Sequence, residues 1–313
     1  MPRILIFHAQ AGAYAAALSA RVAHADAYST SDEREFSERL PEAEVLIAHR
    51  FPVEALNAAA KLRWIQITSA GTEFLEPARG QLAQVIVTNG RGLHAAPIAD
   101  YVMTTAVMLQ SGFAQFIRDQ AAKRWHRRPV PMLSGKTLGI VGLGSIGREI
   151  ARRAAASGMD VVGVRKSGAP MDGVRRVFAP DRLHAFLACC DFVVLAVPAT
   201  ESTRALLGEA EFEAMKRSAY VINIARGTVI DEPAMIGALR AGTIAGACLD
   251  VFVVEPLPAE SPLWTLSNVI VTPHIAGMRS DYEERLIDIF VDNLARFERG
   301  EPLHNRVELE RGY

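Results

Sequence analysis

The glycine-rich stretch from Gly142 to Gly147 constrains the fold of this 313-residue chain more than any other feature. It lies between an apolar run at residues 137–141 and a helical segment at residues 148–157, and a second apolar run follows at residues 160–164. A strand, a glycine turn, a helix and a second strand are typical of doubly wound folds that bind dinucleotide phosphates at the helix N-terminus. The residues predicted to border the phosphates are Gly142, Gly144, Ser145, Ile146 and Gly147.

The residues after the second of these strands indicate which dinucleotide to expect. A chain that binds NAD places an acid there for the ribose 2′-hydroxyl, whereas this chain has Arg165, Lys166 and Ser167. A guanidinium, an ammonium and a hydroxyl can all bind a 2′-phosphate, which a carboxylate would repel. We therefore expect NADP(H) as the preferred cofactor, with NAD(H) possible; the alternative is that the basic pair only solvates a loop.

Length and composition favour two domains that each bury a core. A chain of 313 residues, half of them apolar, exceeds one ordinary domain. With 34 basic and 35 acidic residues the net charge is −1, so we expect no general attraction to nucleic acid or to a membrane surface. The three cysteines, Cys189, Cys190 and Cys248, lack metal-ligand spacing and fit a reducing cytoplasm, and no export signal or membrane span is expected.

Short apolar strands alternate with helical segments on both sides of the glycine turn, which is typical of parallel α/β sheets. A complete α/β unit precedes residue 137. The predicted fold is therefore α/β, with two Rossmann- or flavodoxin-like doubly wound domains and the nucleotide domain inserted into a discontinuous substrate domain. The predicted substrate domain comprises residues 1–98 and 276–313, and the predicted nucleotide domain comprises residues 99–275.

Two longer helices are predicted from apolar residues that recur at helical spacing. One is predicted as continuous from Pro97 to Trp125, and the other, from Asp281 to Arg299, is expected to pack back on the N-terminal domain. Asp231 precedes a glutamate and a proline and is interpreted as a helix N-cap, not as a catalytic acid.

Three polar residues follow predicted strands, at the edge where open parallel sheets bind ligands. They are Arg226, Glu255 and His274. Each alone is equally well explained as an ion pair, a solvated loop residue or a satisfied histidine. Together they suit reduction of a 2-oxo acid by a nicotinamide, because His274 can protonate the carbonyl oxygen while Glu255 orients its imidazole. Arg226 can bind the substrate carboxylate and polarise the reacting carbonyl.

The motifs around these residues resemble those of the D-isomer-specific 2-hydroxyacid dehydrogenase family. The resemblance covers nearly the whole chain and implies that Arg226, Glu255 and His274 are the catalytic residues. It also implies a homodimer built on the connecting helix, through residues 97–131, and a small 2-oxo acid such as glyoxylate or hydroxypyruvate as substrate. The matching segments, in the family's order, are residues 141–147, 223–227, 249–257 and 272–277.

The resemblance implies further contacts for the cofactor and the substrate. Asp250 is expected to contact the nicotinamide carboxamide, and the backbone N–H groups of the loop after residue 68 are expected to hold the substrate carboxylate. The implied adenosine contacts are Val197, Pro198 and Thr203; the other implied cofactor contacts are Ala225, Ala276 and Gly277; the implied substrate loop is Ser69, Ala70 and Gly71.

Other functions use the same architecture. Phosphoglycerate and formate dehydrogenases are oxidising relatives, and corepressor-like proteins bind a dinucleotide chiefly to control assembly. The basic pair at residues 165–166 favours an NADPH-dependent reductase over a corepressor-like protein, and the oxidising relatives stay as alternatives.

Overall fold

The computed structural model describes residues 1–308 and divides the chain into two compact units. The first unit contains residues 1–94 and the segment that starts at Arg279, and the second unit runs from Ala95 to Met278. These divisions lie within four residues of the predicted bounds. They differ because the helix that begins at Ala95 packs as a whole within the second unit.

The first unit is built on a five-stranded parallel sheet with the strand order β2-β1-β3-β4-β5. This is the flavodoxin-like order of a doubly wound fold. The two central strands β3 and β4 are buried along their whole length, as expected for a parallel sheet that is covered on both faces. The elements are β1 (Ile4–Phe7), α1 (Ala11–Arg21), β2 (Ala27–Thr30), α2 (Glu33–Arg39), β3 (Val45–Ala48), β4 (Trp64–Ile67) and β5 (Ile86–Thr88).

The second unit is built on a seven-stranded parallel sheet with the order β12-β11-β10-β9-β6-β7-β8. Counted from β6, this is the Rossmann order 3-2-1-4-5-6 with one further strand, so the predicted doubly wound fold is confirmed. The elements are α3 (Ala95–Ser111), α4 (Phe113–Ala121), β6 (Thr137–Val141), α5 (Ser145–Ala156), β7 (Asp160–Val164), β8 (Arg176–Phe178), α6 (Leu183–Leu187), β9 (Phe192–Leu195), α7 (Glu209–Glu213), β10 (Tyr220–Asn223), α8 (Glu232–Ala241), β11 (Gly246–Leu249) and β12 (Val269–Val271).

The prediction of one continuous helix over residues 97–125 is wrong, because the chain breaks at Gly112. This glycine has a φ of +67°, a left-handed conformation that ends the hydrogen-bond ladder of α3. The Arg128 guanidinium donates to the carbonyls of Ser111 and Gly112 at 2.9 and 3.0 Å and so satisfies the end of the helix. Helical spacing of apolar residues continues across the break, so periodicity alone does not detect it.

The long C-terminal helix, α9 (Tyr282–Arg299), packs within the first unit as predicted. Its apolar face contacts α1, and Phe290 stacks on Trp64 of β4 with ring centroids 4.7 Å apart. Trp64 and Phe290 are fully buried, so the helix completes the core of the first unit. Within residues 1–308, no helix combines the length and the apolar composition needed to cross a bilayer.

The predicted cap of α8 is also confirmed. The Asp231 carboxylate accepts a hydrogen bond from the N–H of Ala234 at 3.1 Å, and Gly242 closes the helix with a φ of +68°. Asp231 is therefore the N-cap residue of α8, as predicted.

Candidate active site

The glycine turn joins β6 to α5 at the switch point of the second sheet, where the strand order reverses. Gly142 has a φ of +100°, and a Cβ there would collide with the carbonyl of Ala196 and lie 2.9 Å from Val197. A Cβ on Gly147 would collide with the carbonyl of Gly142. Protein packing therefore requires the first and third glycines.

Gly144 differs from these two glycines. A Cβ built on it meets no atom within 4 Å in the described part of the chain, so packing does not explain the glycine. It is the N-cap of α5, and no side chain caps the helix there. The N–H groups of Ser145, Ile146 and Gly147 have no acceptor among the described residues. A free helix N-terminus beside open space fits the pyrophosphate of a dinucleotide.

Arg165, Lys166 and Ser167 directly follow β7, on the same edge of the sheet as the glycine turn. Lys166 and Ser167 are exposed and Arg165 is half-buried. Neither basic side chain makes an ion pair with any acidic side chain that the structure describes. Both cations are available to an anionic ligand, and the residues present therefore fit a 2′-phosphate.

The segment after β9 lies against the glycine turn. Val197 packs beside Gly142, and the carbonyl of Pro198 accepts a hydrogen bond from the Thr203 hydroxyl at 2.7 Å. The Thr203 hydroxyl also accepts from the N–H of Thr200 at 2.8 Å. Thr203 therefore fixes the loop that carries Val197 and Pro198, and the structure brings these predicted cofactor residues beside the glycine turn.

Arg226 is carried by a turn that the side chain of Asn223 shapes at the end of β10. The Asn223 amide donates to the carbonyl of Arg226 at 3.1 Å and its oxygen accepts from the N–H of Ala225 at 3.0 Å. A Cβ on Gly227 would collide with the backbone of Phe252, so this turn packs directly on the segment that leads to Glu255.

His274 and Glu255 form a hydrogen-bonded pair of ionisable side chains in the site. His274 Nδ1 donates to Glu255 Oε2 at 2.8 Å, since an ionised carboxylate can only accept, and Glu255 Oε1 accepts from the Phe252 N–H at 2.9 Å. His274 Nε2 has no hydrogen-bond partner among the described residues, and half of the side chain is exposed. The second ring nitrogen is therefore available to a ligand.

Electrostatics keep Glu255 ionised. Burial alone would raise the pKa of Glu255, but the hydrogen bonds from His274 and from the Phe252 N–H outweigh burial. The positive charges of His274 and Arg226 act in the same direction, so the pKa lies below its usual value. Because Arg226 lies near enough to lower the pKa of Glu255, the structure brings Arg226, Glu255 and His274 together, as the sequence predicted.

Asp250 supports the loop that carries His274, a role that sequence analysis missed. Its carboxylate accepts hydrogen bonds from the Thr272 hydroxyl at 2.6 Å and from the N–H groups of Ile275 and Ala276, both at 2.9 Å. Its main-chain carbonyl accepts from the His274 N–H at 2.9 Å. The side chain is 1% exposed. A carboxylate has about four acceptor positions, so one stays available for the nicotinamide contact that the resemblance implies.

The loop that contains Ser69, Ala70 and Gly71 follows β4 in the first unit. Its carbonyls are engaged: Gly71 accepts from the Ser69 hydroxyl at 2.8 Å, and Ala70 accepts from the Asn89 amide at 2.7 Å. In contrast, the N–H groups of the three loop residues have no acceptor in the described chain. The hydrogen-bonded carbonyls fix the loop, and its N–H groups can therefore donate to a carboxylate.

Comparisons with known proteins agree with this geometry. Residues 103–276 match the model of the NAD-binding domain of D-isomer-specific 2-hydroxyacid dehydrogenases. The chain is 35% identical to a glyoxylate reductase of Korarchaeum cryptofilum over 277 residues, which cover 85% of this chain and 82% of that protein. The matched relatives are reductases and dehydrogenases, so a dinucleotide-sensing corepressor is not favoured.

Two crystal structures with bound cofactor are similar over the full chain. A D-isomer-specific 2-hydroxyacid dehydrogenase of Xanthobacter autotrophicus in complex with NADPH has a TM-score of 0.87 at 31% identity and covers 100% of this chain and 99% of that one. An NADPH-dependent glyoxylate/hydroxypyruvate reductase of Sinorhizobium meliloti, in complex with NADP and sulfate, has a TM-score of 0.90 at 26% identity and covers 100% of both chains.

Proposed function

The chain belongs to the D-isomer-specific 2-hydroxyacid dehydrogenase family, an NAD(P)-dependent group of oxidoreductases, and on this premise we propose that it reduces a small 2-oxo acid with NADPH. Glyoxylate and hydroxypyruvate are the proposed substrates, and D-2-hydroxy acids are the proposed products. The observation that carries the proposal is the His274–Glu255 pair, in which the second ring nitrogen of the histidine is left for substrate.

When bound, the nicotinamide cofactor supplies a hydride to the carbonyl carbon of the substrate. Negative charge then develops on the carbonyl oxygen, and His274 neutralises it by donating a proton from Nε2. Glu255 holds Nδ1 and thereby aims the ring. Arg226 binds the substrate carboxylate through its planar guanidinium and polarises the neighbouring carbonyl.

Two further groups of residues are assigned to binding in this proposal. The N–H groups of Ser69, Ala70 and Gly71 hold the substrate carboxylate, and their lack of other acceptors among the described residues supports this role. Asp250 accepts a hydrogen bond from the nicotinamide carboxamide through its remaining acceptor position. The residues proposed to hold the rest of the cofactor are Gly142, Gly144, Ser145, Ile146, Gly147, Val197, Pro198, Thr203, Ala225, Ala276 and Gly277.

The proposed preference for NADPH rests on Arg165 and Lys166. A carboxylate at this position would accept a hydrogen bond from the ribose 2′-hydroxyl of NADH, whereas these two cations and the Ser167 hydroxyl bind a 2′-phosphate. Neither cation has an acidic partner among the side chains that the structure describes, which supports the proposal because no such ion pair has to break when the phosphate binds.

Initial rates with a panel of 2-oxo acids test the proposed function. NADPH oxidation is measured with glyoxylate, hydroxypyruvate, pyruvate and phenylpyruvate, each repeated with NADH, and the configuration of chiral products is determined by chromatography. We expect turnover with glyoxylate and hydroxypyruvate, lower KM values with NADPH than with NADH, and the D-configuration in every product that is chiral. Binding of NADPH without turnover of any of the four acids would overturn the assignment of substrate class.

We also propose a homodimer formed through residues 97–131. This region exposes Phe113, Ile117 and Trp125, which are 44%, 56% and 93% exposed. Three large apolar side chains on one short segment are typical of a surface that a second copy covers. Light scattering at micromolar concentration should give the dimer mass, and Trp125→Glu should give the monomer mass; a monomeric wild-type protein would contradict the proposal.

The cytoplasmic location predicted from cysteine usage stays a prediction. The three cysteines are free thiols, which supports a reducing compartment. Cell fractionation with an antibody against the native protein would test it.

A further inference from the structure

Two titratable side chains, the half-buried Tyr101 and the buried Cys248, lie beside the loop that carries His274 and have no role in the proposed reaction. Tyr101 is on α3, and Cys248 is on β11, two residues before Asp250. The Tyr101 hydroxyl lies 3.1 Å from Cys248 Sγ and 2.5 Å from the Thr272 hydroxyl. The Thr272 hydroxyl in turn lies 2.6 Å from Asp250 Oδ1. The four side chains therefore form one continuous chain of hydrogen bonds.

The donor and acceptor in each of these bonds follow from the number of protons available. The Asp250 carboxylate can only accept, so the single hydroxyl proton of Thr272 is donated to it. Thr272 must then accept from Tyr101, whose only proton is thereby used, so in a hydrogen bond between Tyr101 and Cys248 the thiol is the donor. Each donor polarises the next one in such a chain, so the bond to the carboxylate is strengthened by the two groups behind it.

The Cys248 thiol and the Tyr101 phenol both stay protonated at neutral pH, as these hydrogen bonds require. Burial raises the pKa of Cys248 to about 11 and raises the pKa of Tyr101 still further above its usual value. The thiol and the phenol are therefore donors at every pH at which the protein is assayed.

The bonded carboxylate holds His274 in an unfavourable backbone conformation. His274 has a φ of +53°, in the left-handed region that residues with a Cβ rarely adopt. Such a conformation persists only where surrounding contacts determine it, and here the Asp250 carboxylate is bonded to Thr272, Ile275 and Ala276, on both sides of the histidine. The position of the His274 ring therefore depends on the position of the Asp250 carboxylate.

We propose that Tyr101 is a positioning residue for His274, which it aligns through Thr272 and Asp250 without touching substrate or cofactor. This inference rests on the proposed function, because it assigns Tyr101 to the residue that is proposed to donate the proton. An aligned donor matters because displacement of a reacting group by about 1 Å can reduce a rate about 100-fold.

The first experiment removes the hydroxyl and keeps the ring. Tyr101→Phe is expected to lower kcat about tenfold, while the dissociation constant of NADPH changes less than about twofold, since the glycine turn is untouched. Tyr220→Phe is the matched control, because Tyr220 is also half-buried in the second unit, stacks on Phe192 and has no hydroxyl partner in the described chain. Equal kcat values for Tyr101→Phe and the control would overturn the proposal.

A double-mutant cycle separates alignment from packing. Thr272→Val is expected to lower kcat at least as much as Tyr101→Phe, and in that background Tyr101→Phe is expected to have less than about a twofold further effect. Thr272→Ser keeps the hydroxyl and is expected to retain most of the wild-type kcat. Independent, multiplicative effects of the Tyr101 and Thr272 substitutions would contradict a shared chain of bonds.

A readout without turnover makes failure of the positioning role distinct from failure of the proposed function. Diethylpyrocarbonate modifies histidine rings, and the rate at which His274 is modified in the cofactor-free protein can be measured by peptide mass spectrometry. We expect the rate in Tyr101→Phe to differ from that of the wild type by about threefold or more, since a displaced ring loses the hydrogen bond from Nδ1 to Glu255 that tunes the reactivity of Nε2. An unchanged rate would overturn the positioning role, whether or not the wild-type protein reduces 2-oxo acids.

Discussion

Two strand-to-helix turns occupy equivalent places in the two sheets and differ in what they leave open for a ligand. One joins β1 to α1 in the first unit and the other joins β6 to α5 in the second, each at the switch point of its sheet. In the first turn, His8 Nδ1 accepts from the Gln10 N–H at 3.0 Å, and the carbonyl of His8 accepts from the Ala11 N–H at 3.0 Å. In the second turn, glycines replace the polar side chain, and the helix N–H groups have no acceptor among the described residues.

The difference shows that topology alone does not create a dinucleotide site. Both sheets have the strand reversal at which α/β proteins bind ligands, yet the number of available N–H groups differs. Of the first three N–H groups of α1, only that of Gly12 has no acceptor among the described residues, whereas in the second turn the N–H groups of Ser145, Ile146 and Gly147 all have none, beside open space at Gly144. In the proposed function, the chemistry is supplied by residues that follow the strands of the second sheet, Arg165, Arg226 and His274.

The largest expected effect comes from the proton donor of the second sheet. His274→Asn keeps a polar side chain but removes the acidic proton, and we expect kcat for 2-oxo acid reduction to fall about 1,000-fold. The matched control is His184→Asn, because His184 also pairs with a glutamate, Glu211, at 2.9 Å in the same unit but away from the sheet edge. NADPH binding should be retained in both variants, and near-normal turnover by His274→Asn would contradict the mechanism.

The glycine turn gives the next largest effect. Gly144→Ala adds a methyl group that meets no described protein atom within 4 Å, so the melting temperature should be unchanged while the dissociation constant of NADPH rises about 100-fold. Gly147→Ala places a methyl group against the Gly142 carbonyl and should instead destabilise the fold by about 2 kcal/mol.

Gly12→Ala is the control from the first unit, because it lies in α1 and a Cβ there would meet no atom of the described residues within 4 Å. It should change neither the melting temperature nor NADPH binding appreciably. Normal NADPH affinity in Gly144→Ala would mean that the open space at this turn is not where the phosphates bind.

Cofactor choice should respond to a single side chain. Arg165→Ala is expected to raise the KM for NADPH about 20-fold and to change the KM for NADH less than about twofold, since only NADPH carries the 2′-phosphate. Arg240→Ala, on the exposed surface of α8, removes the same charge elsewhere and should change neither value. An equal rise in the KM values for NADPH and NADH in Arg165→Ala would mean that Arg165 is only a solvated surface residue.

The smallest expected effect is a pH dependence of stability that arises from His8, in the turn between β1 and α1. Burial and the neighbouring His49 lower the pKa of His8 from 6.5, against opposing effects of Glu283 and Gln10. The unfolded chain therefore binds a proton near pH 6.5 that the folded unit does not, so the free energy of unfolding falls as the pH decreases through that value.

His8→Asn should reduce this pH dependence, because the amide oxygen can still accept from the Gln10 N–H but does not titrate. Hydrogen exchange of peptides that cover α1, measured at about pH 7 and about pH 5.5, would detect the change. A pH dependence as large as that of the wild type would mean that His8 is not the group responsible.

Most of the correct predictions from the sequence concern features that depend on residues close together along the chain. The glycine turn, the Asp231 cap and the strands on either side of residue 142 depend on neighbouring residues, and each was predicted with close bounds. The grouping of Arg226, Glu255 and His274 followed from their positions after successive strands of one sheet, a rule of topology that needs no contact to be known.

The features that the sequence did not reveal depend on contacts between distant residues. Asp250 holds residues 272–276 through bonds that span more than twenty positions, and Tyr101 looks in the sequence like one more residue on the apolar face of a helix. The break at Gly112 was missed because helical spacing continues on both sides of it.

In the proposed reaction, the second sheet holds NADPH and directs its hydride to the carbonyl carbon of a 2-oxo acid. This transfer can be followed in a single turnover of hydroxypyruvate with NADPH deuterated at the transferring C4 position, with NMR and chiral chromatography of the product. We expect D-glycerate with one deuterium at C2. An L-product, or a product without deuterium at C2, would contradict the proposed reaction.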